Sequence, residues 1–225
     1  MKELPQDVTE EDRRAIAKNE IELEKALGVA KGKPMSVEEA DHKHANPLFT
    51  TSKSYRINCQ TCSPAYMLRT RGFDITAGPN TRRAGNLSHY LSYSKNFWNK
   101  YLNADGTPAK HHSIVEWAKA KKLTTVTAED YFKFYDEFTK KPGIYEVAVS
   151  WERGGGHSTP LQRFSDGTLK RIDAQTWIQA DFTAKNMLCT SAKHTGLHDM
   201  CDGIMRIDDK VFNAKYAKIF RKTKK

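Results

Sequence analysis

A thiol, an imidazole and a carboxylate occur along this chain in settings suited to acyl-transfer chemistry. The thiol is Cys59, within Asn58-Cys59-Gln60-Thr61-Cys62. The imidazole is His157, behind Gly154-Gly155-Gly156, and the carboxylate is Asp173, within Ile172-Asp173-Ala174-Gln175. A free thiol titrates near about 8.5 and becomes a strong nucleophile when that value falls, at a helix N-terminus or beside a protonated histidine. Cys59 stands just before a helix-like stretch, where both effects can act. Backbone amides left unpaired at the start of that helix carry positive potential and can hold an oxyanion. His157 is placed to take the thiol proton and return it to a leaving amine. Asp173 is placed to hold the imidazole tautomer and support its charged form. Gln175 is a candidate positioning group for either. The reading is a thiol-dependent hydrolase acting on amides.

Two plainer readings compete. Buried structural cysteines are common, and Cys62 is assigned to packing on that ground. Cys59-x-x-Cys62 is also a legitimate half of a zinc cluster, which Cys189, His194, His198 and Cys201 would have to complete. Their spacings are wide and irregular, without a second Cys-x-x-Cys. The expectation is no metal and no cofactor.

The elements that must position these groups are legible in outline. Residues 9–27 read as a helix with Thr9 as cap, an acidic first turn and Gly28 as stop. Lys31-Gly32-Lys33-Pro34 reads as a linker, so residues 1–33 are expected to be a helical arm and linker and 34–225 the main domain. Pro64 to Arg71 reads as a helix, with Pro64 in its first turn. Ser113 to Lys121 reads as another. A further helix, capped by Thr127 with Asp130 in reciprocal position, runs through Phe138. Strand patterns follow at Ile144 to Trp151, His157 to Phe164 and Thr168 to Asp173, with a hairpin turn at Asp166-Gly167. A last strand is expected at Ile204 to Ile207, then a basic C-terminal helix. Helices first and an antiparallel sheet after them predict an α+β domain.

The chain has 225 residues and a net charge of +10. That length can bury a core without disulfides, and four cysteines are too few for a disulfide-built scaffold. Lys215, Lys218, Arg221, Lys222, Lys224 and Lys225 crowd the C-terminus. With no recognised nucleic-acid motif beside them, they read as a solvated basic tail, and nucleic acid is not an expected partner. No apolar run is long enough to span a membrane, and the first residues lack the apolar core of a secretory signal. The expectation is synthesis in the cytoplasm, with any export through a specialised system or packaging in a phage virion.

These motifs resemble a family, the papain-fold toxins, which includes glutamine deamidase effectors and domains found beside phage head proteins. The resemblance rests on Asn58-Cys59-Gln60-Thr61-Cys62, the segment Ala65 to Ile75, and Pro142-Gly143-Ile144-Tyr145. It continues through Gly156-His157, Ile172-Asp173-Ala174-Gln175 and Met205-Arg206-Ile207-Asp208. It covers roughly residues 35–215. The resemblance implies a papain-like fold with helices packed on an antiparallel sheet, Cys59 as nucleophile, His157 as base and Asp173 as orienting acid. It implies glutamine side-chain deamidation of a protein substrate, with peptide hydrolysis and a non-catalytic virion protein retaining the fold as alternatives. An immunity protein or a phage head protein would be the accompanying partner. The chain departs from the family at Ala174, where proline is frequent. It also departs from papain at Lys53, where papain has its oxyanion glutamine. That leaves the Cys59 amide, or the Asn58 side chain, as the expected oxyanion donor.

Overall fold

The computed structural model describes residues 7–150, 155–176, 178–181 and 202–223. Its helices are α1 (Glu10–Leu27), α2 (Val37–Ala40), α3 (His42–Ala45), α4 (Cys59–Thr70), α5 (Leu87–Tyr90), α6 (Ile114–Ala120) and α7 (Ala128–Phe138). Its strands are β1 (Ile75–Ala77), β2 (Tyr101–Leu102), β3 (His112–Ser113), β4 (Gly143–Ser150), β5 (Gly156–Arg163), β6 (Leu169–Asp173), β7 (Ile178–Asp181), β8 (Gly203–Arg206), β9 (Val211–Phe212) and β10 (Phe220–Lys222). The fold is mixed α+β, as the sequence pattern predicts.

The main sheet is antiparallel, in the order β3-β8-β4-β5-β6-β7. Its centre is the long β4–β5 hairpin, in register from Gly143↔Arg163 to Ser150↔Gly156. Helices cover both faces. Ile144, Ala148, Ile172 and Met205 belong to one apolar cluster with Cys62, Ala65, Tyr66 and Leu68 of α4. Tyr145, Val147, Val149, Leu161 and Ile204 belong to a second, with α6 and α7. Alternate residues of β4 therefore serve different cores, which is why the strand is buried almost throughout instead of alternating with solvent.

Local signals explain the helix ends. The Thr9 hydroxyl accepts from the Asp12 N–H at 3.1 Å, and Gly28 ends α1 in the left-handed region. Thr127 and Asp130 form a capping box on α7.

Three expectations are corrected. First, α1, which makes up most of residues 1–33, does not stand off as an arm. Ile16, Asn19 and Leu23 of α1 are buried, and Leu23 joins the α4 core. The Asn19 amide also donates to the Phe212 carbonyl and accepts from the Phe212 N–H, at 2.8 and 3.2 Å. Second, the basic C-terminal helix is a 3₁₀ helix, Ala214–Ile219, followed by β10, which pairs antiparallel with β1. Its Tyr216, Ala217, Ile219 and Phe220 are buried while Lys215, Lys218, Arg221 and Lys222 are exposed. Third, α4 begins at Cys59, so Pro64 lies inside the helix, beyond its first turn.

Candidate active site

Cys59 is the first residue of α4, behind Asn58 as N-cap, and is half-buried. The Asn58 side chain makes no capping bond of its own. Its amide nitrogen instead donates to Asn46 Oδ1 at 3.2 Å and to the Gly78 carbonyl at 2.9 Å. Asn46 in turn donates to the carbonyls of Tyr55 at 2.9 Å and Gln175 at 3.2 Å. Both asparagines are fully buried. The two of them nail the loop before Cys59 to the rest of the fold.

The missing cap comes from the other end of the sequence. The Gln175 side chain reaches α4, and its oxygen accepts from the backbone N–H groups of Asn58 and Cys59, each at 3.0 Å. Turned the other way, the amide would set Nε2 against Asn58 Oδ1 at 3.1 Å but would also face both N–H donors. Two donors against one acceptor assign the oxygen to that position. Gln175 thus caps the helix in trans, doing what a Ser or Asp at the cap position ordinarily does.

His157 sits at the start of β5, opposite Val149 of β4. The preceding Gly156 is required by packing. A Cβ there would lie 2.4 Å from the Val149 carbonyl oxygen and 3.3 Å from Ser150 Cα, so the hairpin closes this tightly only around glycine. Gly155 has φ +82°, a left-handed conformation that sets the strand's entry. Gly154 lies outside the described residues. Continuing the β5–β6 register beyond Leu161↔Arg171 brings Asp173 opposite Thr159, which makes His157 its diagonal neighbour.

His157 Nε2 and Asp173 Oδ2 are 2.9 Å apart, both nearly buried. Asp173 Oδ1 accepts from the N–H groups of Gln175 and Thr176, at 3.0 and 3.2 Å. With its Nε2 hydrogen committed to Asp173, the neutral imidazole presents Nδ1 as the proton acceptor. Burial pulls the His157 pKa down. The Asp173 charge and hydrogen bond, with the nearby Cys59 thiol, outweigh that and hold it well above the ordinary histidine value. Burial raises Asp173, yet the His157 charge and hydrogen bond, with Thr176 and the Gln175 N–H, bring it to about 2. Cys59 lies near enough to the imidazole to contribute to the rise of the His157 pKa. Its thiol hydrogen points to Gln60 Oε1, 3.6 Å away.

The three side chains named from the sequence therefore converge, and Gln175 touches both the helix and the Asp173 turn. Two expectations about the oxyanion donor fail. The Cys59 N–H is taken by Gln175, and the Asn58 amide is spent on Asn46 and Gly78. Among the described residues the N–H of Gln60, one step into α4, has no acceptor. Its side chain is fixed by Ser88, whose carbonyl and hydroxyl accept from Gln60 Nε2 at 2.7 and 2.8 Å. Nothing in the sequence distinguishes this N–H from its neighbours, because the choice depends on where Gln175 lands.

Cys62 is packing. Its thiol donates to Asn58 Oδ1 at 3.4 Å. Burial, then the neighbouring Cys59 and Asp173 charges, push its pKa well above the ordinary thiol value. Cys189, His194, His198 and Cys201, the other half of the zinc reading, lie outside the described residues. Among the described residues no group of three metal-binding side chains occurs. No described helix is long and apolar enough to cross a membrane. A cavity of about 950 Å³ between α1 and the far ends of β4 and β5 is lined by Asp7, Glu20, Arg71 and Asp208, away from the triad.

Compared with known proteins, the chain matches no family model, no curated protein and no solved structure.

Proposed function

We propose that this chain is a papain-like, cysteine-dependent amidohydrolase whose preferred reaction is deamidation of glutamine side chains in a protein substrate. The observation that carries the reading is the His157 imidazole bonded to the Asp173 carboxylate at 2.9 Å, with Cys59 at the start of α4 near enough to help raise the imidazole's pKa. A nucleophile at a helix N-terminus, a buried base of raised pKa and an acid locked by backbone donors are the parts covalent amide hydrolysis needs.

His157 takes the thiol proton, and the Cys59 thiolate attacks the carboxamide carbon. The helix N-terminus stabilises the oxyanion, with the Gln60 N–H as donor. The tetrahedral intermediate collapses as His157 protonates the departing nitrogen, releasing ammonia and leaving a thioester on Cys59. Water, deprotonated by His157, then attacks the thioester; the carboxylic acid leaves and the thiol is restored. Three side chains and water complete the cycle.

The test is intact-mass spectrometry of candidate target proteins incubated with the enzyme, with an ammonia assay alongside. Deamidation adds about 1 Da per site and leaves the target chain whole, as thioester hydrolysis of a side-chain amide requires. Fragments without ammonia would assign the same triad to peptide-bond cleavage. Targets altered equally by wild type and Cys59→Ala would refute the enzymatic reading.

A further inference from the structure

Lys100 and Glu146 are both fully buried and lie 2.9 Å apart, in the layer between α4 and the sheet. Buried ion pairs are costly to desolvate and add little to stability on their own, so their placement asks for another reason. Pro64 supplies one. In a regular helix the N–H of residue 64 would bond the carbonyl of Gln60, and proline has none. The Gln60 carbonyl is left orphaned one residue from the nucleophile, and Lys100 Nζ donates to it at 3.2 Å. Glu146 Oε1 accepts from Lys100 and from the Ser158 hydroxyl, the latter at 2.5 Å, and Oε2 accepts from the Tyr101 hydroxyl at 2.7 Å. Ser158 follows His157 on β5, and its hydroxyl also meets that of Ser63, in α4, at 3.0 Å.

We infer that the Lys100–Glu146 pair is a positioning unit that sets the distance between nucleophile and base, by tying the Gln60 carbonyl to the strand residue beside His157. The inference rests on Cys59 and His157 acting together as proposed above. Glu146 is the acidic residue of a strand otherwise lined with apolar and small side chains; its partners come from β5 and from the segment around Lys100 and Tyr101, and through Lys100 and Ser158 it reaches α4. A single carboxylate thereby joins the two elements whose relative placement decides whether the thiol and imidazole meet. Misplacement on the ångström scale at a catalytic pair costs large factors in rate.

The experiment measures the rate of Cys59 alkylation by iodoacetamide against pH, with the modified peptide identified by mass. In wild type Cys59 should be alkylated faster near neutral pH than a thiol without a base beside it, because His157 takes its proton. His157→Ala should lose that advantage; an unchanged profile would break the pairing of Cys59 with His157, and with it the proposed function. Lys100→Met with Glu146→Gln removes both buried charges together and so avoids stranding one of them. It should keep a cooperative thermal transition, yet slow alkylation near neutral pH at least about tenfold and bring its pH profile to that of His157→Ala. Ser158→Ala, a smaller change in the same chain of bonds, should change rate and profile in the same direction and carries the test if the double variant does not fold. Wild-type alkylation in Ser158→Ala, or in a folded double variant, would overturn the inference while leaving the Cys59–His157 pair standing.

Discussion

Asp173 is the residue on which the chemistry of His157 turns. One carboxylate oxygen accepts from the imidazole and the other from two backbone N–H groups, so its charge and its direction are both fixed. Asp173→Asn keeps the shape and removes the charge that lifts His157. The alkaline limb of amide hydrolysis, which reports loss of the imidazolium that protonates the leaving group, should move down towards the ordinary histidine range, and kcat should fall on the order of 10⁴-fold. The pair also links stability to pH. The Asp173 contribution is complete above its ordinary value of 3.8 and is lost as pH falls through about 2. The His157 contribution is complete below its ordinary value of 6.5 and is lost as pH rises through its elevated one. Denaturant unfolding of wild type and Asp173→Asn should differ most between those ordinary values, with the gap narrowing on either side. Gln175→Ala should cost about 1–2 kcal/mol in the same assay, because α4 loses its cap and buried N–H groups lose their acceptor.

At the scale of elements, the site is the junction of a helix start, a hairpin mouth and a turn. Gly156→Ala tests the hairpin. The added methyl meets backbone of β4, which has no side chain to swing aside, so the variant should lose thermal stability and His157-dependent Cys59 alkylation together. How far this junction could be read from sequence divides along one line. Groups announced by short-range chemistry were legible: Cys59 ahead of a helical pattern, His157 behind glycines, Asp173 at a strand end, the capping box of α7. Groups defined by tertiary pairing were not. Lys100 reads as one lysine among many, and Glu146 as a polar break in a β pattern. Pro64 reads as a helix-start signal, and only the start of α4 at Cys59 shows that its missing N–H leaves the Gln60 carbonyl without a helical donor. The C-terminal segment reads as a basic helix. Pairing with β1 and burial of Tyr216, Ile219 and Phe220 decide its conformation instead.

For the whole molecule, the N-terminal helix is part of the packed core. A chain of residues 34–225 would expose the surfaces that Ile16 and Leu23 cover and strand both polar groups of Phe212 that Asn19 now satisfies. It should show a lower thermal midpoint than the full chain, or fail to stay in solution; equal midpoints would restore the arm reading. The sheet itself has a wider consequence. Its two faces feed separate apolar clusters, with α4 on one side and α6–α7 on the other. His157 lies opposite Val149 and Asp173 is in step with Leu169, both of the second cluster, so by alternation the imidazole and the carboxylate belong to the α6–α7 face while Cys59 comes from the α4 side. The candidate site is thus assembled from both layers, and neither can be redesigned without regard to the other.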